Sequence, residues 1–352
     1  MGVATANMSV PVAEQNEGFW LRSRNWDMLF ITLSVFLVPL PYLFYLLGVK
    51  LGMQPDVSRN LVNGFVAVAV GGPHMMSTML RTGLDNDFKQ RYPMLIRSSI
   101  IIPIVVVSLA FLNLTLLLTI FFFWASLHVL HQVIYLTDCY RERSGRREPA
   151  WSRAVDYGLI LSGLYPIGLF KIAQGKFGVG GVLLPFPAFL RPLHLPEIAA
   201  VVFAACLIAW IGKTTVEIRR GTVSMPKTLL IGITTVVSFL LPLGSNLDIL
   251  FQGYNTWHSF QYLFLLWLIN RLRDQRGELE DGVVRRLVRR QGMGAYYLCF
   301  LGATGVLVVL TLLVRAATPL TADQSYFVVV LSVLLMHYYF DHFLFSHPKM
   351  VE

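Results

Sequence analysis

Charge is what this chain of 352 residues has least of. Asp, Glu, Lys and Arg make up 14% of it, against about 25% in an ordinary soluble domain. With 55% hydrophobic residues and a mean hydropathy of +0.60, that scarcity excludes a soluble globular enzyme, a disordered chain and a collagen-like repeat. Cysteine is scarce too. Cys139, Cys206 and Cys299 stand far apart, with no CxxC or CxxCH, which excludes a cysteine-rich zinc site and a c-type haem attachment. Cys206 and Cys299 lie in apolar runs, as packing residues do. No GxGxxG or Walker loop and no internal repeat occurs, so a glycine-rich phosphate cradle and a solenoid are both excluded. The apolar runs hold no ExxH pair, which a carboxylate-bridged di-iron site of the ferritin type requires. Residues 1–19 lack the apolar core of a signal peptide.

What the chain does have is apolar runs long enough to cross a bilayer, which takes about 20 helical residues. The expected fold is an all-α integral membrane protein with about ten transmembrane helices in one bundle. The spans fall near 28–49, 60–81, 97–112, 115–138, 154–172, 197–218, 228–244, 249–270, 295–315 and 325–346, with Asn113 turning the hairpin between the third and fourth. Both termini are expected in the cytoplasm. That topology places 23 Lys and Arg on the cytoplasmic side and 6 on the other, which together make the 29 in the chain, as the positive-inside rule requires. The formal net charge of +9 therefore reads as basic cytoplasmic loops. No nucleic-acid partner is expected, since no nucleic-acid motif accompanies the charge.

Three regions follow: a cytoplasmic segment 1–27, a polytopic domain 28–346 and a short cytoplasmic tail 347–352. Phe19, Trp20 and Trp26 with Arg22 and Arg24 resemble an interfacial aromatic belt. Residues 277–292 read either as a basic amphipathic helix on the membrane surface or as a charged loop. The Gly- and Pro-rich loop 173–196 is expected to cap the outer face or dip into the bilayer. A multi-pass protein of the bacterial inner membrane is the expected location.

Of eight histidines, six fall in expected spans, and all six in even-numbered ones: His74, His128, His131, His258, His337 and His342. His194 and His347 lie in a loop and the tail and carry no expected role. His74, His131, His258 and His337 precede the next basic residue by 7, 10, 13 and 12 positions. At 1.5 Å per residue they lie within about 10 Å of one another in depth. Their neighbours form polar stripes. His128, His131, Gln132 and Tyr135 share one helix face; so do His258, Gln261 and Tyr262, the pair His337 and Asp341, and the set His74, Thr78 and Arg81. Buried polar groups are costly in a bilayer and face the bundle interior. A polar pocket in apolar surroundings is therefore expected. Taken one at a time, each histidine also reads as a core residue hydrogen-bonded to a carbonyl, and the glutamines and tyrosines as helix bridges. The run Phe121–Trp124 reads as packing, with the wall of a substrate pocket as the alternative.

Imidazole suits iron, zinc, copper and nickel. The expected metal ligands are His74, His128, His131, His258 and His337, with Asp341 as a further ligand or as the holder of a histidine N–H. Gln132 and Gln261 are expected to orient them, and Tyr135 or Tyr262 to donate a proton or hydrogen bond to bound oxygen. With histidines scattered over separate spans, and HxxHQ at 128–132, the chain resembles membrane-integrated non-haem iron oxygenases and desaturases. The nearest analogy is the bacterial carotenoid-cleaving dioxygenases related to bacterio-opsin. The resemblance implies one ferrous ion held by histidines from separate helices. It also implies O₂ and a lipid-soluble substrate (carotenoid, isoprenoid, sterol-like molecule or acyl chain) delivered by the membrane lipids, and an electron donor. Two alternatives stay open. One is a transporter using the histidines and Asp341 as a proton relay; the other is an electron carrier with haem b between paired histidines.

Overall fold

In the computed structural model nearly every ordered element is a helix, as a chain that must satisfy its backbone inside a bilayer requires. The structure describes residues 19–175, 178–179, 182–183, 193–244, 247–290 and 292–346. Most of the expected cytoplasmic segment 1–27, the tail 347–352 with His347, and much of the loop 173–196 lie outside the described residues.

The helices, in chain order, are α1 (Arg24–Lys50), α2 (Pro55–Val66), α3 (Gly72–Ser77), α4 (Asn86–Arg91), α5 (Pro93–Leu112), α6 (Leu114–Arg143), α7 (Ala150–Ala173), α8 (Leu195–Arg219), α9 (Met225–Leu243), α10 (Leu247–Gln275), α11 (Val283–Arg290), α12 (Met293–Ala317) and α13 (Gln324–Leu344). Gly178–Val179 and Val182–Leu183 form a two-stranded antiparallel hairpin after α7. Eight of the helices, α1, α5, α6, α7, α8, α9, α12 and α13, are long and apolar enough to cross a membrane. This is an integral membrane protein. The two expected spans outside that set are the α2–α3 run and α10. They are the two that carry His74 and His258, and their polar stripes lower the hydropathy.

The packing is that of a bundle in lipid. Helix α8 buries none of its most apolar stretch and presents Val201, Ile208 and Ile211 outward. Asn113 breaks the long apolar region as its sequence suggests: its Oδ1 accepts from the Leu116 N–H at 3.0 Å and caps α6. Helices α1 and α10 touch so closely that a Cβ on Gly253 would lie 2.0 Å from the Val38 carbonyl oxygen.

Two expected surface segments are packed on protein instead. Phe19, Trp20 and Trp26 are buried, because Asp27 accepts from the N–H groups of Leu21 (2.8 Å) and Arg22 (3.2 Å) and folds the segment back. The 277–292 region holds α11, whose Val284 and Val288 are buried. Val284 packs with Leu80, Tyr296 and Phe300, and Arg285 pairs with Asp274 at 3.1 Å. Part of the apolar face of α11 is thus covered by its own chain, while Val283 stays exposed.

Candidate metal centre

Three helices change pitch where they approach the site. One π-helical turn, Ala67–Gly71, joins α2 to α3 directly before His74. Proline at 73 has no N–H to give the Ala69 carbonyl, and the Tyr297 hydroxyl of α12 donates to that carbonyl at 2.6 Å instead. Gly72 lets α3 press on α12, since a Cβ there would lie 2.2 Å from Thr304 Cγ2. A second π turn, Phe327–Leu331, leads into the part of α13 that bears His337. A third, Met28–Thr32 in α1, presents the Ile31 carbonyl to Gln261 Nε2 at 2.7 Å. Single π turns re-aim side chains and recur at functional sites.

Four helices then bring four imidazoles together: His74 from α3, His128 from α6, His258 from α10 and His337 from α13. Neighbouring ring centroids are 4.3–4.9 Å apart (His74–His337, His74–His258, His128–His337, His128–His258), with His74 and His128 across the diagonal at 6.2 Å. Ring nitrogens of His74, His128 and His337 all lie within 4.8 Å of one another, and His128 Nε2 is 3.1 Å from His258 Nε2. Two imidazole nitrogens on one ion, each about 2.0–2.1 Å from it, stand roughly 3–3.4 Å apart. All four residues are at most 4% exposed.

Several of the hydrogen bonds that should satisfy such buried groups are missing. Both ring nitrogens of His74, Nε2 of His337, Nδ1 of His258 and Oδ2 of Asp341 have no partner. Buried polar atoms are normally paired, so unpaired nitrogens among clustered imidazoles fit a bound ion. Around Asp341 and His337 a set of hydrogen bonds is in place. Thr78 Oγ1 donates to Asp341 Oδ1 at 3.0 Å and lies 2.7 Å from His337 Nδ1. Thr78 Oγ1 also lies 2.6 Å from Tyr262 OH; the tautomer in which this hydroxyl accepts from His337 is the one with the N–H on Nδ1. The lone pair of His337 then resides on Nε2, the orphaned atom. The Tyr262 hydroxyl donates to Asp341 Oδ1 at 2.7 Å. Asp341 Oδ2 points inward, 3.5 Å from His337 Nδ1 and 3.9 Å from His128 Nε2. Tyr338 stacks on His128 with centroids 4.2 Å apart.

The remaining expected residues divide. Gln132 Nε2 donates to the His258 carbonyl (3.1 Å) and to Gln261 Oε1 (3.3 Å), so both glutamines fix α10 against α6 and α1 behind the histidines. His131 does not join the four. Its ring lies beside His342 (4.9 Å) and Phe345 (5.5 Å). One step of i to i+3 turns it about 60° away from His128 and moves it about 4.5 Å along the axis. Tyr135 lies a further turn on, stacked on Phe345 at 5.0 Å. With Arg81, Tyr262, Leu266 and Ile269 it lines a small cleft next to the site.

Sequence reasoning assigned no role to a second buried cluster. Asp156 of α7 is fully buried and takes Lys213 Nζ at 2.5 Å, Arg141 Nη2 at 3.1 Å and Lys227 Nζ at 3.5 Å. Arg141 also pairs with Asp138 and with Glu148 (3.0 Å), and Lys227 with Glu148 (2.5 Å). This network ties α6, α7, α8 and α9 together. An acidic residue inside an apolar run, with two lysines entering neighbouring runs, was the available signal. No family model matches the chain, and no curated protein or solved structure matches it.

Proposed function

We infer that this chain is a membrane-embedded non-haem iron oxygenase acting on a lipid-soluble substrate such as a carotenoid, isoprenoid or acyl chain. The observation that carries the reading is the ring of four buried imidazoles from four helices, with His128 Nε2 3.1 Å from His258 Nε2 and with ring nitrogens of His74, His258 and His337 left without a hydrogen-bond partner. A nitrogen-rich set of this kind suits iron, zinc, copper or nickel. His74, His128, His258 and His337 would hold the ion, with Asp341 Oδ2 in reach. Bound ferrous iron would supply the one-electron and dioxygen chemistry that side chains lack. The chain's own residues do the rest. Thr78 and Asp341 hold His337 in the tautomer that leaves Nε2 free. Gln132 and Gln261 fix the backbone that carries His258. The apolar shell excludes water and admits lipid-soluble molecules and O₂. The topology that goes with this reading has ten spans, the α2–α3 run and α10 included, and both termini in the cytoplasm.

His128 Nε2 and His258 Nε2 stand 3.1 Å apart, which suits two ligands of one shared ion better than a pair held about 4 Å apart, twice a metal–imidazole bond, across a haem. The hydrogen-bonded chain from Tyr262 through Asp341 and Thr78 to His337 favours a proton relay as the second reading. The test is oxygen uptake by the iron-loaded protein in liposomes doped with a carotenoid, a polyprenol or a fatty acid. Iron-dependent uptake with one of these is expected. Iron-loaded protein silent with all three, or proton flux coupled to a solute, would overturn the oxygenase reading.

A further inference from the structure

A narrow crevice, open on one side, lies among α6, α7, α9 and α10. Its walls include Phe122, Phe123, Ser126, Tyr165, Gly168 and Phe251. The surface they present is almost wholly apolar. Its hydroxyls face each other, Ser126 Oγ and Tyr165 OH at 3.3 Å, so water entering it would find few partners. An apolar space of this kind stays dry. It is not sealed, and the neighbouring side chains Phe170, Leu240 and Leu243 are each more than half exposed. In a bilayer those exposed groups meet acyl chains, so the mouth opens onto hydrocarbon.

Two of the walls belong to the helices that bear His128 and His258. Phe122 and Phe251 meet across α6 and α10 with ring centroids 5.3 Å apart. They precede His128 and His258 by six and seven residues, about 10 Å of helix. Gly168 widens the space: a Cβ there would meet nothing within 4 Å.

We propose that this crevice binds the hydrocarbon chain of a lipid-soluble substrate, admitted sideways from the bilayer, for the metal centre inferred above. The proposal rests on that reading for the word substrate, while its geometry is independent of the metal. A slender chain, acyl or prenyl, fits walls with no charged group to receive a polar head.

The test uses full-length protein in phosphatidylcholine nanodiscs and two photoprobes: a free octadecyl chain carrying a mid-chain diazirine, and a phosphatidylcholine with the same group in one acyl chain. Saturable labelling of Phe122, Tyr165 or Phe251 by the free chain is expected, at least tenfold weaker in Gly168→Phe, whose iron content should stay that of wild type. Labelling confined to lipid-facing residues in the wild type would overturn the proposal, whether or not the variant folds. Labelling of the crevice by the phospholipid alone would overturn it in favour of a structural lipid. Equal labelling of folded Gly168→Phe would also overturn it. Iron content decides the other reading separately. Crevice labelling that persists in a wild-type protein unable to bind iron would keep the chain site and remove the oxygenase.

Discussion

Replacing Thr78 by valine keeps the shape of the side chain and removes only its hydroxyl. That hydroxyl lies 2.6 Å from Tyr262 OH, 2.7 Å from His337 Nδ1 and 3.0 Å from Asp341 Oδ1, in a residue with no solvent exposure. Thr78→Val leaves the His337 N–H without its acceptor. The nearest replacement, Asp341 Oδ2, is 3.5 Å away, beyond a good hydrogen bond. A buried donor left unsatisfied costs about 1–3 kcal/mol, and loss of the group that orients a metal-bound histidine costs about 10–100-fold in metal affinity. The two figures agree at about 1.4 kcal/mol per factor of ten. Competition with a chelator of known affinity should therefore show iron bound about 10–100-fold more weakly by Thr78→Val, with Thr78→Ser close to wild type because it keeps the oxygen. Wild-type affinity in Thr78→Val would refute the assignment of the proton to Nδ1 and the role built on it.

Other outcomes follow from the same structure. His131→Ala should keep its metal, because the ring lies beside His342 and outside the four; loss of metal with the fold intact, read by elemental analysis, would contradict this placement. Asp156→Ala leaves Lys213, Arg141 and Lys227 around a vanished carboxylate and should cost about 3–5 kcal/mol, the usual penalty for breaking a buried ion pair; thermal unfolding in detergent within error of wild type would contradict it. Stability should also fall in acid through Glu148, which lies between α6 and α7. Burial raises that carboxyl, but the hydrogen bond and charge of Lys227 and the charge of Arg141 outweigh it and hold the group at about 2. A depressed carboxyl contributes stability that is whole above its ordinary value of 4.5 and is lost as pH falls through about 2. Unfolding midpoints measured across that window should drop in wild type and drop less in Glu148→Gln; parallel curves would count against the pairing.

Much of the site was legible because depth and helical face are readable from a sequence. His74, His258 and His337 stand 7, 13 and 12 residues before basic residues, within about 10 Å of one another in depth, and the structure brings them together with His128. The choice between His128 and His131 was not legible. Both lie on one broad face of α6, and only the crossing of α10 against that face selects His128. Hydropathy alone misses the two helical runs that matter most, because His74, Thr78, His258 and Gln261 make them polar. The aromatic segment near Trp26 misled because Phe and Trp beside Arg suit a membrane interface and a protein interior equally. The two hydrogen bonds that the Asp27 carboxylate accepts from backbone N–H groups, not the composition, decide between them. The Asp156 network was visible only as single charges at the ends of apolar runs, and its partners come from four helices whose packing the sequence does not state.

The most direct test of the metal centre is elemental analysis of detergent-purified wild type beside His74→Ala, His128→Ala, His258→Ala and His337→Ala, each shown to be monodisperse. The account predicts about one transition-metal ion per chain in wild type, with no Soret band, and loss of most of it in each variant. Full metal content in the four variants, or a metal-free wild type that takes up no ferrous iron, would contradict it.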